Sequence, residues 1–223
     1  MTDDLLQKLT KRETEKAVKA AVTFVVDVTG SMGEEIKAVK AALLDFAEIF
    51  EKRKVRLHLG MISFRDLTQG EDITVHNFDG EEFTRSAESF KAQVGTLRAD
   101  GGGPMPESSY DALVKATEMD WPQGCEKVIL LITDAPSHTS TTTKDAAYAA
   151  MEAAEVGQFY GLTYTTKPNV RDCYLDFVKV GKGGNMYDLG NKDHSTLVKT
   201  IRNIGLTSSE RTISKTKGGD TTD

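Results

Sequence analysis

The chain has 223 residues, 39% hydrophobic and 28% charged, with a formal net charge of −6. That length suits one large domain with a buried core, with or without tails, and the acidic balance argues against a nucleic-acid surface, which needs a basic patch. No apolar run approaches the ~20 residues that span a bilayer, Met1–Leu5 lacks the apolar segment of a secretory signal, and Cys125 and Cys173 stand outside any CxxC spacing. The expectation is a cytoplasmic protein with reduced thiols and no contact with membrane or nucleic acid.

Residues 1–20 read as an N-terminal helical extension, a charged helix over about 3–19 with Leu5, Leu6 and Leu9 on one side. Ala21–Val26 is nearly continuously apolar, as a strand buried on both faces must be. From Met32 to Arg53 the spacing of Ile36, Val39, Leu43, Phe46 and Phe50 predicts an amphipathic helix. Val55–Phe64 alternates and reads as a strand, with Ile73–Phe78 its antiparallel hairpin partner. A helix over about Ser86–Val94 leads to the glycine-rich loop Asp100-Gly101-Gly102-Gly103-Pro104. Pro106 suits the first turn of a helix running to about Trp121. Lys127–Thr133 is a second fully apolar strand, ending at Asp134-Ala135-Pro136. A helix over about Lys144–Glu155, a strand Gln158–Tyr164, a helix over about Asn169–Val180, a short strand Asn185–Leu189 and a last helix over about Ser195–Ile204 complete the domain, placed at 21–206. Residues 207–223 are polar and aperiodic, the composition of a disordered tail.

Strands alternating with helices, two of them buried on both faces, predict an α/β fold: a doubly wound, mostly parallel sheet flanked by helices, with one antiparallel edge strand. In such sheets ligands sit beyond the carboxyl ends of the strands. Asp27, Asp134 and the loop after Phe64 then share one edge of the molecule.

Asp27, Thr29 and Ser31 stand two residues apart where the first strand ends, and alternate side chains of an extended segment point the same way. One carboxylate and two hydroxyls converging there make half a shell for a hard cation such as Mg2+. Asp134, ending a neighbouring buried strand, would bring a second carboxylate close. Like charges at short range destabilise one another unless neutralised, and a divalent cation would do so. Simpler readings exist for each residue alone. Ser31 with Glu34 matches a capping box, Thr29 and Asp27 suit a turn, and Asp134 and Asp100 suit Asx turns. Asp66 is either an acceptor orienting ligand waters or the partner of Arg65 in a loop. His138 reads as a surface-loop imidazole, His58 as a strand residue facing a helix, and Glu107 as a cap of the helix starting at Pro106.

Asp27-x-Thr29-x-Ser31, the glycine loop before a helix and a strand ending in Thr133-Asp134 together resemble the von Willebrand factor A (VWA) domain over about Ala21–Ile204. VVDVTGSMGEEI, Ser63-Phe64-Arg65-Asp66 and GGGPMPES look most like the subset associated with alpha-kinases and with bacterial cytosolic proteins. The resemblance implies a metal-ion-dependent adhesion site (MIDAS) holding Mg2+, with Mn2+ or Ca2+ possible. Its metal residues would be Asp27, Thr29, Ser31 and Asp134, with Asp100 nearest the position where the family has a loop threonine. It further implies a non-catalytic protein-interaction module whose partner offers Glu or Asp to the metal. Asp100 in place of threonine would tune the site, fill its open position or turn away. Two other functions compete: an Mg2+-dependent hydrolase or phosphatase using Asp27, and a scaffold subunit whose metal site is structural or degenerate.

Overall fold

The computed structural model describes residues 20–53, 57–181, 183–190 and 199. The expected N-terminal helix, the polar tail and all of the last helix but residue 199 lie outside them. Strand β1 (Ala20–Asp27) is buried along its whole length. It pairs in parallel with β2 (Leu57–Phe64) on one side and β5 (Glu126–Ile132) on the other. The sheet continues through β6 (Gln158–Thr163) to β7 (Gly184–Asp188), both parallel. At the opposite edge β3 (Ile73–Val75) runs antiparallel to β2, and a two-residue strand β4 (Phe83–Thr84) also pairs antiparallel with β2. The strand order β3-β2-β1-β5-β6-β7 is that of a doubly wound α/β sheet with an antiparallel edge.

The alternation of β1 explains why both its faces are apolar. Val22, Phe24 and Val26 enter one core together with Val39, Leu43 and Phe46 of α1 (Glu35–Arg53) and Phe90 and Val94 of α2 (Ala87–Thr96). Ala21 and Val25 enter the other. That second core is covered by α3 (Ser109–Thr117), α4 (Lys144–Ala153) and α5 (Pro168–Tyr174). Phe24 fixes the first core, its ring centroid 5.3 Å from those of both Phe46 and Phe90. Burying a residue of that size is worth about 3 kcal/mol. Ser86 and Thr143 cap α2 and α4, each accepting a backbone N–H three residues on.

Several elements differ from the pattern-based expectation, each for a local reason. The helix expected from Met32 opens as a 3-10 turn over Gly30–Gly33 before α1, because Ser31 is engaged elsewhere. The helix expected at Pro106 begins at Ser109. Glu107 is held instead in a bridge to Ser137, its N–H on Pro136 O at 3.0 Å and its carbonyl accepting from His138 N at 2.7 Å. The helix expected over Asn169–Val180 is α5 followed by a 3-10 turn, Leu175–Lys179. β4 is too short to leave a period-two pattern.

From β1 the chain moves outward to β2 and then returns to the far side of β1 as β5. The carboxyl ends of β1 and β5 therefore flank the point where the winding reverses, where such sheets leave a crevice.

Candidate metal centre

At that point the ends of β1 and β5 bring five side chains into one hydrogen-bonded cluster. Asp27 is fully buried. Its Oδ1 accepts from the Thr29 N–H at 2.9 Å and the Thr29 hydroxyl at 2.6 Å. Its Oδ2 accepts from the Thr133 hydroxyl at 2.6 Å. Thr29 Oγ1 lies 3.1 Å from Ser31 Oγ, and the Ser31 hydroxyl donates to Asp134 Oδ1 at 3.0 Å. Ser31 thus joins the two strand ends rather than capping α1. Thr29 and Asp134 are buried while Ser31 is exposed, so the cluster opens to solvent on one side.

The glycine loop docks on this cluster through its backbone. Asp100 N–H donates to Val28 O at 3.0 Å, and Gly30 N–H donates to Gly101 O at 3.0 Å. Gly101 and Gly102 have φ of +66° and +74°, and a Cβ on Gly102 would stand 2.8 Å from Thr29 Cβ. Only glycine adopts that backbone so close to the cluster without strain. Glu71 holds the loop, its carboxylate accepting from Gly102 N at 2.9 and 3.0 Å and from Asp66 N at 3.2 Å. Behind the cluster, Tyr174 donates to Ala135 O at 2.8 Å and meets Ser109 Oγ at 2.7 Å, fixing the turn after Asp134.

A further carboxylate reaches the same place. Glu107 is 1% exposed, and its Oε2 has no hydrogen-bond partner among the described residues. Its Oε1 lies 3.4 Å from where a Gly102 Cβ would sit, beside Thr29. Burial, and then the negative charges of Asp27, Asp66, Asp134 and Glu71, push its pKa up to about 8. Asp27 is raised to about 6, chiefly by burial against the hydrogen bonds from Thr133 and Thr29. Asp134 is raised as well, by burial, with the Ser31 hydrogen bond opposing. A buried oxygen without a donor and carboxylates all held against ionisation form an environment that a cation would relieve. Among the described residues no three carboxylate, imidazole or thiol side chains could hold a metal unaided. A shell here would need further donors, and the Thr29 and Ser31 hydroxyls stand in the same hydrogen-bonded cluster. Hard hydroxyl and carboxylate oxygens with an open side fit Mg2+, which keeps several waters.

The structure brings Asp27, Thr29, Ser31 and Asp134 together. Asp100 stands apart from them: it is exposed, and its Oδ1 accepts from Gly101 N at 2.9 Å. Asp66 Oδ1 accepts from Thr68 N at 2.8 Å and from the Thr68 hydroxyl at 2.7 Å, and lies 3.3 Å from His138 Nε2. Burial pushes the Asp66 pKa up, but the Thr68 hydrogen bonds and His138 outweigh it and hold the group below its usual range. Arg65 turns instead toward the carbonyls of Val28 and Arg98. His138 is accordingly tied to Asp66 rather than lying free on a surface loop. Glu107, Thr133 and Glu71 were not read from sequence as parts of the centre. Thr133 could have been found from its place beside Asp134 at the end of a buried strand. Glu107 and Glu71 act through contacts distant in sequence and leave no local signal.

Comparisons with known proteins agree with this architecture. The alpha-protein kinase vwkA of Dictyostelium discoideum is 24% identical over 92% of this chain and 34% of its own length. The human von Willebrand factor A domain-containing protein 7 is 33% identical over 42% of this chain and 10% of its own. The chain therefore spans about a third, and a tenth, of the lengths of these relatives. Among solved structures, a von Willebrand factor type A protein from Catenulispora acidiphila superposes with a TM-score of 0.64 at 17% identity, over 86% of this chain and 43% of that one. The pilus adhesin SpaC of Lactobacillus rhamnosus GG, in an open conformation, gives 0.58 at 13%, over 90% and 30%. The family model for the von Willebrand factor A domain matches residues 21–171, and the chain belongs to that family.

Proposed function

We propose that this domain is a divalent-cation-dependent protein-interaction module. Thr29, Ser31, Asp134 and Glu107 offer the oxygens that would hold Mg2+, or Mn2+ or Ca2+ in its place. Asp27 adds its charge behind them and orients the Thr29 hydroxyl. Asp100 is assigned to the rim, since its carboxylate is turned onto Gly101. When bound, the cation would supply a Lewis-acidic position on the open side that a Glu or Asp of a partner protein can complete. The observation that carries this reading is the chain of oxygens from Asp27 through Thr29 and Ser31 to Asp134, linking two strand ends beside the donorless Glu107 Oε2. Members of the family are generally protein-interaction modules, which supports it. A hydrolase using Asp27 as nucleophile gains nothing from the geometry, because that carboxylate is fully buried with both oxygens occupied by hydrogen bonds. A cytoplasmic setting is part of the proposal, supported by a chain with two cysteines, Cys125 and Cys173, outside any CxxC spacing. Among the described residues no helix is long and apolar enough to cross a membrane.

Calorimetric titration of chelator-treated protein with Mg2+ and Mn2+ tests the site. Saturable one-site binding that is lost in Asp134→Ala and weakened in Ser31→Ala is expected. A folded protein that takes up neither ion would leave only a scaffold of this fold.

A further inference from the structure

On the other side of β1's carboxyl end, between β2, β3 and the end of α2, lies a cavity of about 310 Å3 whose lining includes Ser63, Arg65, Asp72, Thr74, His76 and Arg98. Three side chains there form a directed hydrogen-bond chain. Gln93 Nε2 donates to Asn77 O at 3.1 Å, so the amide oxygen is the atom that faces His76 Nδ1 at 3.1 Å. An amide oxygen can only accept, so the ring proton sits on Nδ1. Burial holds the His76 pKa below its usual value, the Gln93 contact opposing, so the ring is neutral near pH 7. Nε2 is then bare, and the Ser63 hydroxyl, 2.9 Å away, donates to it.

The charge around this chain is locally positive although the molecule is acidic overall. Arg65 from the end of β2 and Arg98 from beyond α2 line the cavity, against Asp72 ahead of β3. The carbonyls at the end of α2, which would repel an anion, are already covered. Lys40 Nζ donates to Gly95 O at 2.9 Å and Leu97 O at 3.1 Å, and Arg98 Nη1 donates to the same two oxygens at 2.6 and 2.8 Å. Arg65 is only loosely committed, its contacts to Val28 O and Arg98 O being 3.4 and 3.5 Å. Two guanidinium forks and two hydroxyls offer more donors than a planar carboxylate accepts, and the number suits a tetrahedral oxyanion. The volume lies at the small end of ligand pockets.

We propose that this cavity binds the phosphoryl group of a small phosphate monoester between Arg65 and Arg98, with Ser63 and Thr74 as neutral donors and one proton taken up by His76. Uptake follows from the hydrogen bonds. An incoming anion needs the Ser63 hydrogen, which is committed to His76 Nε2. A proton from solvent on Nε2 makes the ring a donor to Ser63 Oγ, freeing the Ser63 hydroxyl to turn to the ligand. Arg65, Arg98 and Asp72 are the other charged groups lining the cavity.

Sulfate is the probe, because its charge is constant across the range. It is added to chelator-treated protein at ionic strength held with chloride, and the His76 ring signals are followed by NMR. Expected are saturable shifts, binding about tenfold tighter near pH 6 than near pH 8, and about tenfold weakening in Arg98→Gln. In His76→Gln, where no imidazole remains to follow, sulfate binding is read by calorimetry, and with the fold checked by circular dichroism the pH dependence should be gone. Glycerol phosphate should displace sulfate from the parent. Shifts no greater than chloride produces, equal binding in Arg98→Gln, pH-independent binding by the parent or no displacement by the monoester would each overturn the proposal. Because no divalent cation is present, failure here says nothing about the metal centre.

Discussion

Glu107→Gln isolates the electrostatics of the metal centre. In the metal-free protein the Glu107 pKa is raised from 4.5 to about 8. The unfolded chain therefore releases this proton from about pH 4.5 upward, while the folded protein keeps it until about pH 8. Folding then holds the extra proton across that window, so the contribution to stability falls as pH rises. At 1.36 kcal/mol per pKa unit the penalty reaches about 3 kcal/mol at pH 7, and it grows by about 2 kcal/mol between pH 6 and pH 8. Asp27 moves in the same direction but only between 3.8 and about 6, and His76, held low, moves stability the opposite way in parent and variant alike, so the difference between the two above pH 6 reports on Glu107. For a domain of this size about 2 kcal/mol corresponds to a Tm change of roughly 4–8 °C. Thermal melts followed by circular dichroism in chelator should show the parent losing that much from pH 6 to pH 8. Glu107→Gln should lack that loss and melt higher than the parent at pH 8. Excess Mg2+ should restore the parent at pH 8 and do much less for the variant. Parallel pH profiles for parent and variant would refute the reasoning, since they would mean that the Glu107 carboxylate reaches solvent or ionises normally.

Gly102→Ala places a methyl 2.8 Å from Thr29 Cβ at a φ of +74°. It should cost about 1–3 kcal/mol of stability and weaken Mg2+ binding about tenfold or more by displacing the Thr29 hydroxyl, both readable by melting and calorimetry; unchanged affinity would remove Thr29 from the shell. Asp100→Thr should leave Mg2+ affinity within about threefold, because Asp100 is exposed and bonded to its own loop. A loss beyond about tenfold in that titration would place Asp100 in the shell instead.

The sheet was legible because its signals are local. The nearly continuous apolar run Ala21–Val26 and the apolar run within Lys127–Thr133 announce strands covered on both faces, and the Ile36-Val39-Leu43-Phe46 spacing announces the helix packed on one of them. Asp27, Thr29 and Ser31 were legible for the same reason: a two-residue step on a strand end dictates a shared direction. Asp134 followed from a rule about strand ends. The fate of Glu107 was not legible. From sequence it is a glutamate after a proline at a helix start, and a helix cap is a sound local reading. A backbone bridge to Ser137, thirty residues away, pulls it out of the helix and under the glycine loop. Glu71 and Gln93 likewise act on partners 31 and 17 residues away, Gly102 and His76. By itself, then, the sequence determined which segments are buried and where the hard oxygens of one strand end must point, since both depend on short-range periodicity. Which carboxylate lies donorless beside them, and which tautomer His76 holds, only the tertiary structure decided, because burial and hydrogen-bond partners come from segments that meet after the chain has folded.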